Sequence, residues 1–211
     1  MHYQWFSSFD TVSRQKDVMV NRFLVIAGPS GVGKSVLATA LSKINTVYII
    51  LRNYTTRDSR PTDSPGHFAY LSDQDFIQTH DKRQFFMCRL EPPPMYGYKT
   101  KELSLILASG KRPTLMFRHS GIKYILESLG GVPTVFIEGD PKEVARHSRN
   151  KISPPTDKDV MNTISANRQL QDLMTQRQFR WLRITNNYGG NAEVRTLANT
   201  VNEFLSNTDE P

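Results

Sequence analysis

The chain has 211 residues, 38% of them hydrophobic and 22% charged, with 27 Lys and Arg against 20 Asp and Glu for a net charge of +7. This is long enough for one sizeable core, too short for two independent domains, and too apolar for a mostly disordered chain, and no apolar run approaches the ~20 residues of a membrane helix. The single cysteine, Cys88, excludes an internal disulfide and a four-cysteine metal site and points to a reducing, cytoplasmic compartment, while the positive charge favours anionic partners.

Residues 1–21 read as an N-terminal extension. Met1–Asp17 carries Trp5, Phe6 and Phe9 without a small-residue cleavage site, so it is not a secretory signal. Few acids together with Arg14 and Lys16 leave organelle targeting open; the simpler expectation is aromatics packed on the body. Arg22–Ala27 is a continuous apolar run, as in a buried parallel strand, and Lys34–Lys43 has a helical apolar face of Val36, Leu37, Ala40 and Leu41. Thr46–Leu51 reads as a second strand, Arg52–Gly66 as a loop, and Ser72 with Asp75 as a capping pair opening a short helix to His80. Thr100–Ser109 is a helix stopped by Gly110. Pro113–Phe117 and Thr134–Glu138 are strands with a helix over Ser120–Leu129 between them. Lys142–Lys151 is a basic helix, and Thr156 with Asp159 caps another that passes Leu173. Trp181–Thr185 is the last strand and Asn191–Leu205 an amphipathic helix. Strands alternating with helices predict an α/β fold around a mostly parallel sheet flanked by helices.

Gly28-Pro29-Ser30-Gly31-Val32-Gly33-Lys34-Ser35 fits G-x-x-x-x-G-K-[ST], with an apolar strand before it and a helix after it. The glycines let successive backbone N–H groups turn inward onto a β-phosphate at the helix N-terminus. Lys34 then reaches the β- and γ-phosphates and the Ser35 hydroxyl ligates Mg²⁺. ATP is the expected donor, with GTP also open, since no NKxD-type guanine-reading motif of the regulatory GTPases is present. Thr55–Arg60 adds two arginines, Arg57 and Arg60, in a loop behind the second strand, and an arginine fork suits a phosphate dianion.

These residues together resemble guanylate kinase. GPSGVGKS is similar to that family's phosphate-binding loop, TTRDSRP to its acceptor loop, Leu71–Phe76 to its F-V-S-x-x-x-F and Met95-Tyr96-Gly97 to its Y-Y-G; Ser109-Gly110-Lys111 and Asn186-Asn187 fall at family spacing. The resemblance runs from about Phe23 to Leu205. It implies a P-loop kinase domain over 22–211: a core of 22–53, 112–142 and 177–211, an inserted acceptor-binding domain over 54–111, and a helical lid over 143–176. It implies ATP binding by Gly28, Ser30, Gly31, Val32, Gly33, Lys34, Ser35, Asn186 and Asn187. Arg57, Arg60 and Tyr96 would hold the acceptor phosphate, and Lys34 with lid arginines Arg146, Arg149 and Arg168 would stabilise the transferring phosphoryl. Lys142–Arg183 carries nine Lys or Arg against four acids, as suits a lid over polyphosphate.

The resemblance breaks where the family reads guanine. Met87, Tyr98 and Arg118 stand where it has Glu, Ser and Asp. Losing a buried acceptor costs about 1–3 kcal/mol per unpaired group, so guanine selectivity is not implied. Phe68 replaces a tyrosine, and no acid follows the strand Pro113–Phe117, which leaves Mg²⁺ to Ser35, phosphates and water. Tyr54–Asp58, His67–Ser72 and Asn186–Gly189 are similar instead to ribose 1,5-bisphosphate phosphokinase. The histidines His67, His80, His119 and His147 are scattered, none at metal-ligand spacing, and read as ordinary polar residues. The expectation is therefore an ATP- and Mg²⁺-dependent kinase acting on a small-molecule phosphate monoester, with a nucleoside monophosphate favoured over a sugar phosphate. The contrasting expectation is a non-catalytic, guanylate-kinase-like module that binds phosphopeptides. Neither specific nucleic-acid binding nor a membrane partner is expected, and the protein would be a monomer or homodimer.

Overall fold

Leu24–Ala27 is apolar on both faces, and a strand of that kind is stable only where both faces are covered. The computed structural model describes residues 3–5, 22–61, 63–91, 93–118, 122, 132–148, 156–176 and 180–207. In it this strand, β2, is the middle of a five-stranded sheet of order β10-β9-β2-β8-β3, with β3 at Tyr48–Ile50, β8 at Arg112–Phe117, β9 at Thr134–Gly139 and β10 at Trp181–Asn186. Every pairing in it is parallel.

The period of two sorts the core. Leu24 and Ile26, with Val135 and Ile137, face α1 (Lys34–Ile44) and α6 (Gly190–Ser206) through Leu37, Leu41, Ala198 and Val201. Val25, Leu115, Phe117 and Phe136 face the other way, onto Leu103 of α3 (Thr100–Ala108) and Leu170 and Met174 of α5 (Asp157–Gln176). α2 (Asp73–Asp81) and α4 (Pro141–Ser148) complete the helices of the described residues. The two capping pairs form as the sequence predicts: Asp75 N donates to Ser72 Oγ at 3.0 Å, and Thr156 Oγ1 donates to Asp159 Oδ2 at 2.8 Å.

The segment between β3 and β8 supplies four strands of a second sheet, of order β1-β6-β7-β4-β5, and the N-terminal segment supplies the fifth. Its strands are β1 (Tyr3–Trp5), β4 (Asn53–Thr55), β5 (Phe68–Tyr70), β6 (Phe85–Arg89) and β7 (Tyr96–Lys99). β4 lies inside the stretch that reads as loop in the sequence; at three residues it is too short to show a period, but Tyr54 and Thr55 are buried. β1 joins the N-terminal segment to the body by pairing Tyr3 with Arg89 and Trp5 with Met87. Tyr54, Phe76, Phe85, Cys88 and Met95 make the core of this sheet and α2. Of the expected helix over 120–129 only Ile122, a buried core residue, is described. The basic helix expected to 151 is α4, and 149–151 lie outside the described residues.

One side chain joins the two sheets at the point where β3 ends. The β3–β8 ladder stops with Ile50 opposite Thr114, and Leu51 N still reaches Thr114 O at 3.0 Å. Beyond that, the Tyr98 hydroxyl of β7 donates to Met116 O at 2.9 Å and accepts from Met116 N at 3.2 Å. Its ring lies 5.6 Å from Phe117 and 6.1 Å from Phe86. Tyr98→Phe keeps the ring and leaves two part-buried backbone groups without that partner. The expected result is a loss of about 1–3 kcal/mol in urea unfolding with an unchanged far-ultraviolet spectrum.

Candidate active site

β2 ends at Ala27, and the chain turns at once into the glycine-rich segment that opens α1. A Cβ at Gly28 would stand 2.3 Å from Ile137 O, so only glycine lets the turn pass this close to β9. Gly33 carries φ 97° at the helix N-cap. The outward side of the loop is held carbonyl by carbonyl. Lys34 Nζ donates to Gly28 O at 2.9 Å and to Pro29 O at 2.6 Å, the Tyr188 hydroxyl to Gly31 O at 3.1 Å, and Asn186 Nδ2 to Val32 O at 3.0 Å. Asn186 is thus a brace behind the loop. Asn187 is exposed, and its N–H donates to Glu193 Oε1 at 2.6 Å.

The inner side of the loop lines a cleft of about 420 Å³ through Ser30, Gly31, Gly33, Lys34 and Ser35. Val32 lies beneath it, fully buried. Burial, and after it the charge of Arg118, push the Lys34 ammonium down to about 7. An anion in the cleft acts in the opposite sense. The Ser35 hydroxyl fits Mg²⁺ that arrives with a polyphosphate and keeps its waters; among the described residues no group of three or more His, Cys, Asp and Glu is arranged to hold a metal by itself.

The opposite wall comes from the second sheet. Arg57 grips Asp63 with both Nη atoms at 2.7 Å, and its guanidinium lies 4.5 Å from the centre of Phe68 and 5.6 Å from that of Tyr70. Asp63 also accepts from the Tyr70 hydroxyl at 2.5 Å and from Arg60 N at 2.8 Å. Burial works to raise its carboxyl, but the Arg57 fork, the Tyr70 hydroxyl and the Arg60 N–H together hold it down at about 2. Arg57 is therefore a neutralised, fixed fork, whereas Arg60 stands exposed at the edge of the cleft. Tyr96, Met87, Tyr98 and Arg118 all line the same space. Met87 and Tyr98 are buried, and Arg118 is exposed at the end of β8 beside Lys34.

Besides Asp63, Arg89 and His147 are cleft residues that escaped the sequence reading. Arg89 is two residues after Met87 on β6 and so shares its face; Arg89 Nη2 donates to Pro94 O at 2.6 Å, and its guanidinium stacks 5.1 Å from Tyr96. Recognising β6 as a strand would have found it. His147, at the end of α4, also lines the cleft. Of the expected lid arginines, Arg146 pairs with Glu143 at 2.5 Å and does not line the cleft, Arg168 is exposed on α5 away from it, and Arg149 lies outside the described residues.

The Arg57–Asp63 pair carries a stability expectation. A carboxyl held at about 2 in the fold against an ordinary 3.8 stabilises above pH 3.8 and loses that contribution as pH falls through 2. Asp63→Asn is expected to cost about 1.5–3 kcal/mol at pH 7, and urea melts should show the gap between the proteins narrowing between pH 4 and 2.

A family model described as guanylate kinase matches residues 20–190 of the chain. The guanylate kinase of Photorhabdus laumondii is 30% identical over 122 residues, which cover 56% of this chain and 59% of that protein. That of Idiomarina loihiensis is 31% identical over 123 residues, covering 56% and 58%. The chain thus matches somewhat over half the length of these curated relatives. The crystal structure of guanylate kinase from Anaplasma phagocytophilum superposes with a TM-score of 0.65 at 15% identity, over 91% of this chain and 88% of that one, a likeness of fold. With the intact phosphate-binding loop set in a parallel α/β core, the chain belongs to the guanylate kinase family.

Proposed function

We propose that the protein transfers the γ-phosphoryl group of Mg-ATP to a phosphate monoester, with a nucleoside monophosphate as the favoured acceptor. The observation that carries this reading is the single cleft with a phosphate-binding loop on one side and Arg57, Arg60 and Tyr96 on the other. An acceptor phosphate oxygen attacks the γ-phosphorus as the bond to the β–γ bridging oxygen breaks, giving ADP and a diphosphate. The attacking oxygen is already anionic, so positioning and charge neutralisation matter more than a base. In this reading 22–53, 112–142 and 177–211 form the core, 54–111 presents the acceptor and 143–176 is the lid.

Lys34 neutralises the transferring group, and the anion restores the charge that burial disfavours. Arg57, fixed by Asp63 and Phe68, orients the acceptor, and Arg60 adds a second guanidinium. Ser35 would hold Mg²⁺, whose chemistry is to bridge and neutralise the β- and γ-phosphates. The far end of the cleft gives little support to guanine as the base. Met87 offers no acceptor, the Tyr98 hydroxyl is engaged by Met116, and Arg118 is a donor.

ADP release from Mg-ATP, measured against the nucleoside monophosphates and ribose 1,5-bisphosphate, tests the reading. Turnover with one acceptor is expected, falling about 10²–10³-fold in Lys34→Ala. Arg60→Ala is expected to raise the acceptor KM about 10-fold while the donor KM stays within about twofold, as for loss of one charged hydrogen bond. Folded protein inactive with every acceptor would overturn it.

A further inference from the structure

α4 ends against the phosphate-binding loop. A Cβ at Gly31 would lie 2.4 Å from Ser148 N and 2.7 Å from Val144 O, so helix and loop meet at a residue that has to be glycine. His147, next to last in α4, lines the cleft together with Ser30, Gly31 and Ser148. Its ring stacks on Tyr188, with centroids 4.5 Å apart and planes inclined by 11°. Tyr188 in turn donates its hydroxyl to Gly31 O at 3.1 Å and its N–H to Asn186 Oδ1 at 2.9 Å. The imidazole is thus fixed relative to the loop by a stack and a hydrogen bond. The arginines that line the cleft come from elsewhere: Arg57, Arg60 and Arg89 from the second sheet, Arg118 from the end of β8. Arg146, beside His147 in α4, is turned to Glu143.

We propose that His147, as the imidazolium, contacts the terminal phosphates of the donor and adds the second positive charge, after Lys34, on that side of the cleft. The inference rests on the kinase reading above and extends it by one catalytic residue. Lys34 reaches the β- and γ-phosphates from the floor of such a loop. A group facing Ser30 and Gly31 meets the same phosphates from the lid side. The imidazolium has two N–H donors, one more than the neutral ring. Glu143 Oε2 lies 3.8 Å from its Nε2. His147 keeps its proton through the transfer, so no proton relay is involved.

Two arms test this. In the first, the His147 Cε1–H resonance is followed by NMR at pH 7.5, without any acceptor. Mg²⁺ with a non-hydrolysable ATP analogue is expected to shift it, and AMP to leave it in place. This arm reads the contact whether or not the protein turns over, so failure of the kinase reading is seen separately, in the acceptor panel. In the second, His147→Gln is expected to lower kcat about 10–100-fold with the acceptor KM within about twofold, as for loss of one charged hydrogen bond in the transition state. His147→Arg restores kcat to within about threefold of wild type. His147→Phe, which keeps the stack on Tyr188, stays as slow as Gln. A resonance unmoved by the analogue, or full activity in His147→Phe, overturns the proposal and leaves His147 as packing for Tyr188.

Discussion

For the N–H groups of a short loop to converge on a phosphate, its carbonyls have to point away and be satisfied elsewhere, and much of this fold is arranged to do that. Lys34 takes the carbonyls of Gly28 and Pro29, Tyr188 that of Gly31, Asn186 that of Val32, and Leu37 N that of Gly33. The partners come from α1, from the end of β10 and from the turn after it, so the loop is correctly shaped only once the two parts of the chain have assembled around β2. Parallel order makes this possible. β9 ends beside β2 and β10 beside β9, and Gly28 is pressed against Ile137 O while Asn186 closes β10 behind the loop. Asn186, which the resemblance assigns to nucleotide binding, braces the loop from behind through Val32 O.

The electrostatics follow from the same arrangement. Among the described residues the cleft is lined by Lys34, Arg57, Arg60, Arg89 and Arg118 against the single carboxylate Asp63. An excess of like charge in a confined space raises the cost of each further cation, which is visible in Lys34, lowered by burial and then by Arg118. Two of the arginines are relieved locally, Arg57 by its ion pair with Asp63 and Arg89 by Pro94 O and the Tyr96 ring face. Those contacts also fix where the guanidinium groups point. The cleft is therefore preorganised on the side of the second sheet, while on the side of the loop Lys34 is held below its ordinary range, a shift that an anion there would oppose.

The sequence was most legible where one residue type has one physical use. A continuous apolar run marked β2, the G-x-x-x-x-G-K-[ST] spacing marked the loop, and Ser72/Asp75 and Thr156/Asp159 marked helix starts that form with the expected bonds. The second sheet was legible only through the family resemblance. Its strands β4, β5 and β7 have three or four residues each, too few for a period, and the register of β6 and β7 shifts between Phe85 and Met87. Partner choice was the other hidden quantity. Nothing local to Arg57 says that Asp63, six residues on, closes a bidentate pair, or that Arg146 turns to Glu143 while the neighbouring His147 faces the cleft. A helix places neighbouring residues about 100° apart, so which of two adjacent basic residues meets the ligand depends on how the helix docks. That docking meets the chain at Gly31, far from α4 in sequence.

Tyr98 shows how a binding position can pass to a structural use. A hydroxyl at that place would serve a ligand if it were free, but the β3–β8 ladder ends at Thr114, and the N–H and C=O of Met116 take the Tyr98 hydroxyl instead. Once that bond exists, the ring has to lie between Phe86 and Phe117, and the end of the cleft becomes a packed wall of Tyr98 and Met87. A planar base that needs buried hydrogen-bond acceptors would leave its own donors unpaired against such a wall, at about 1–3 kcal/mol each. The same wall costs nothing to an acceptor recognised through its phosphate. In the proposed reading, recognition would then rest on the fixed guanidinium of Arg57, and selectivity would fall to shape and charge beyond the phosphate, where Asn53, Arg89, Tyr96 and Arg118 are among the polar lining groups.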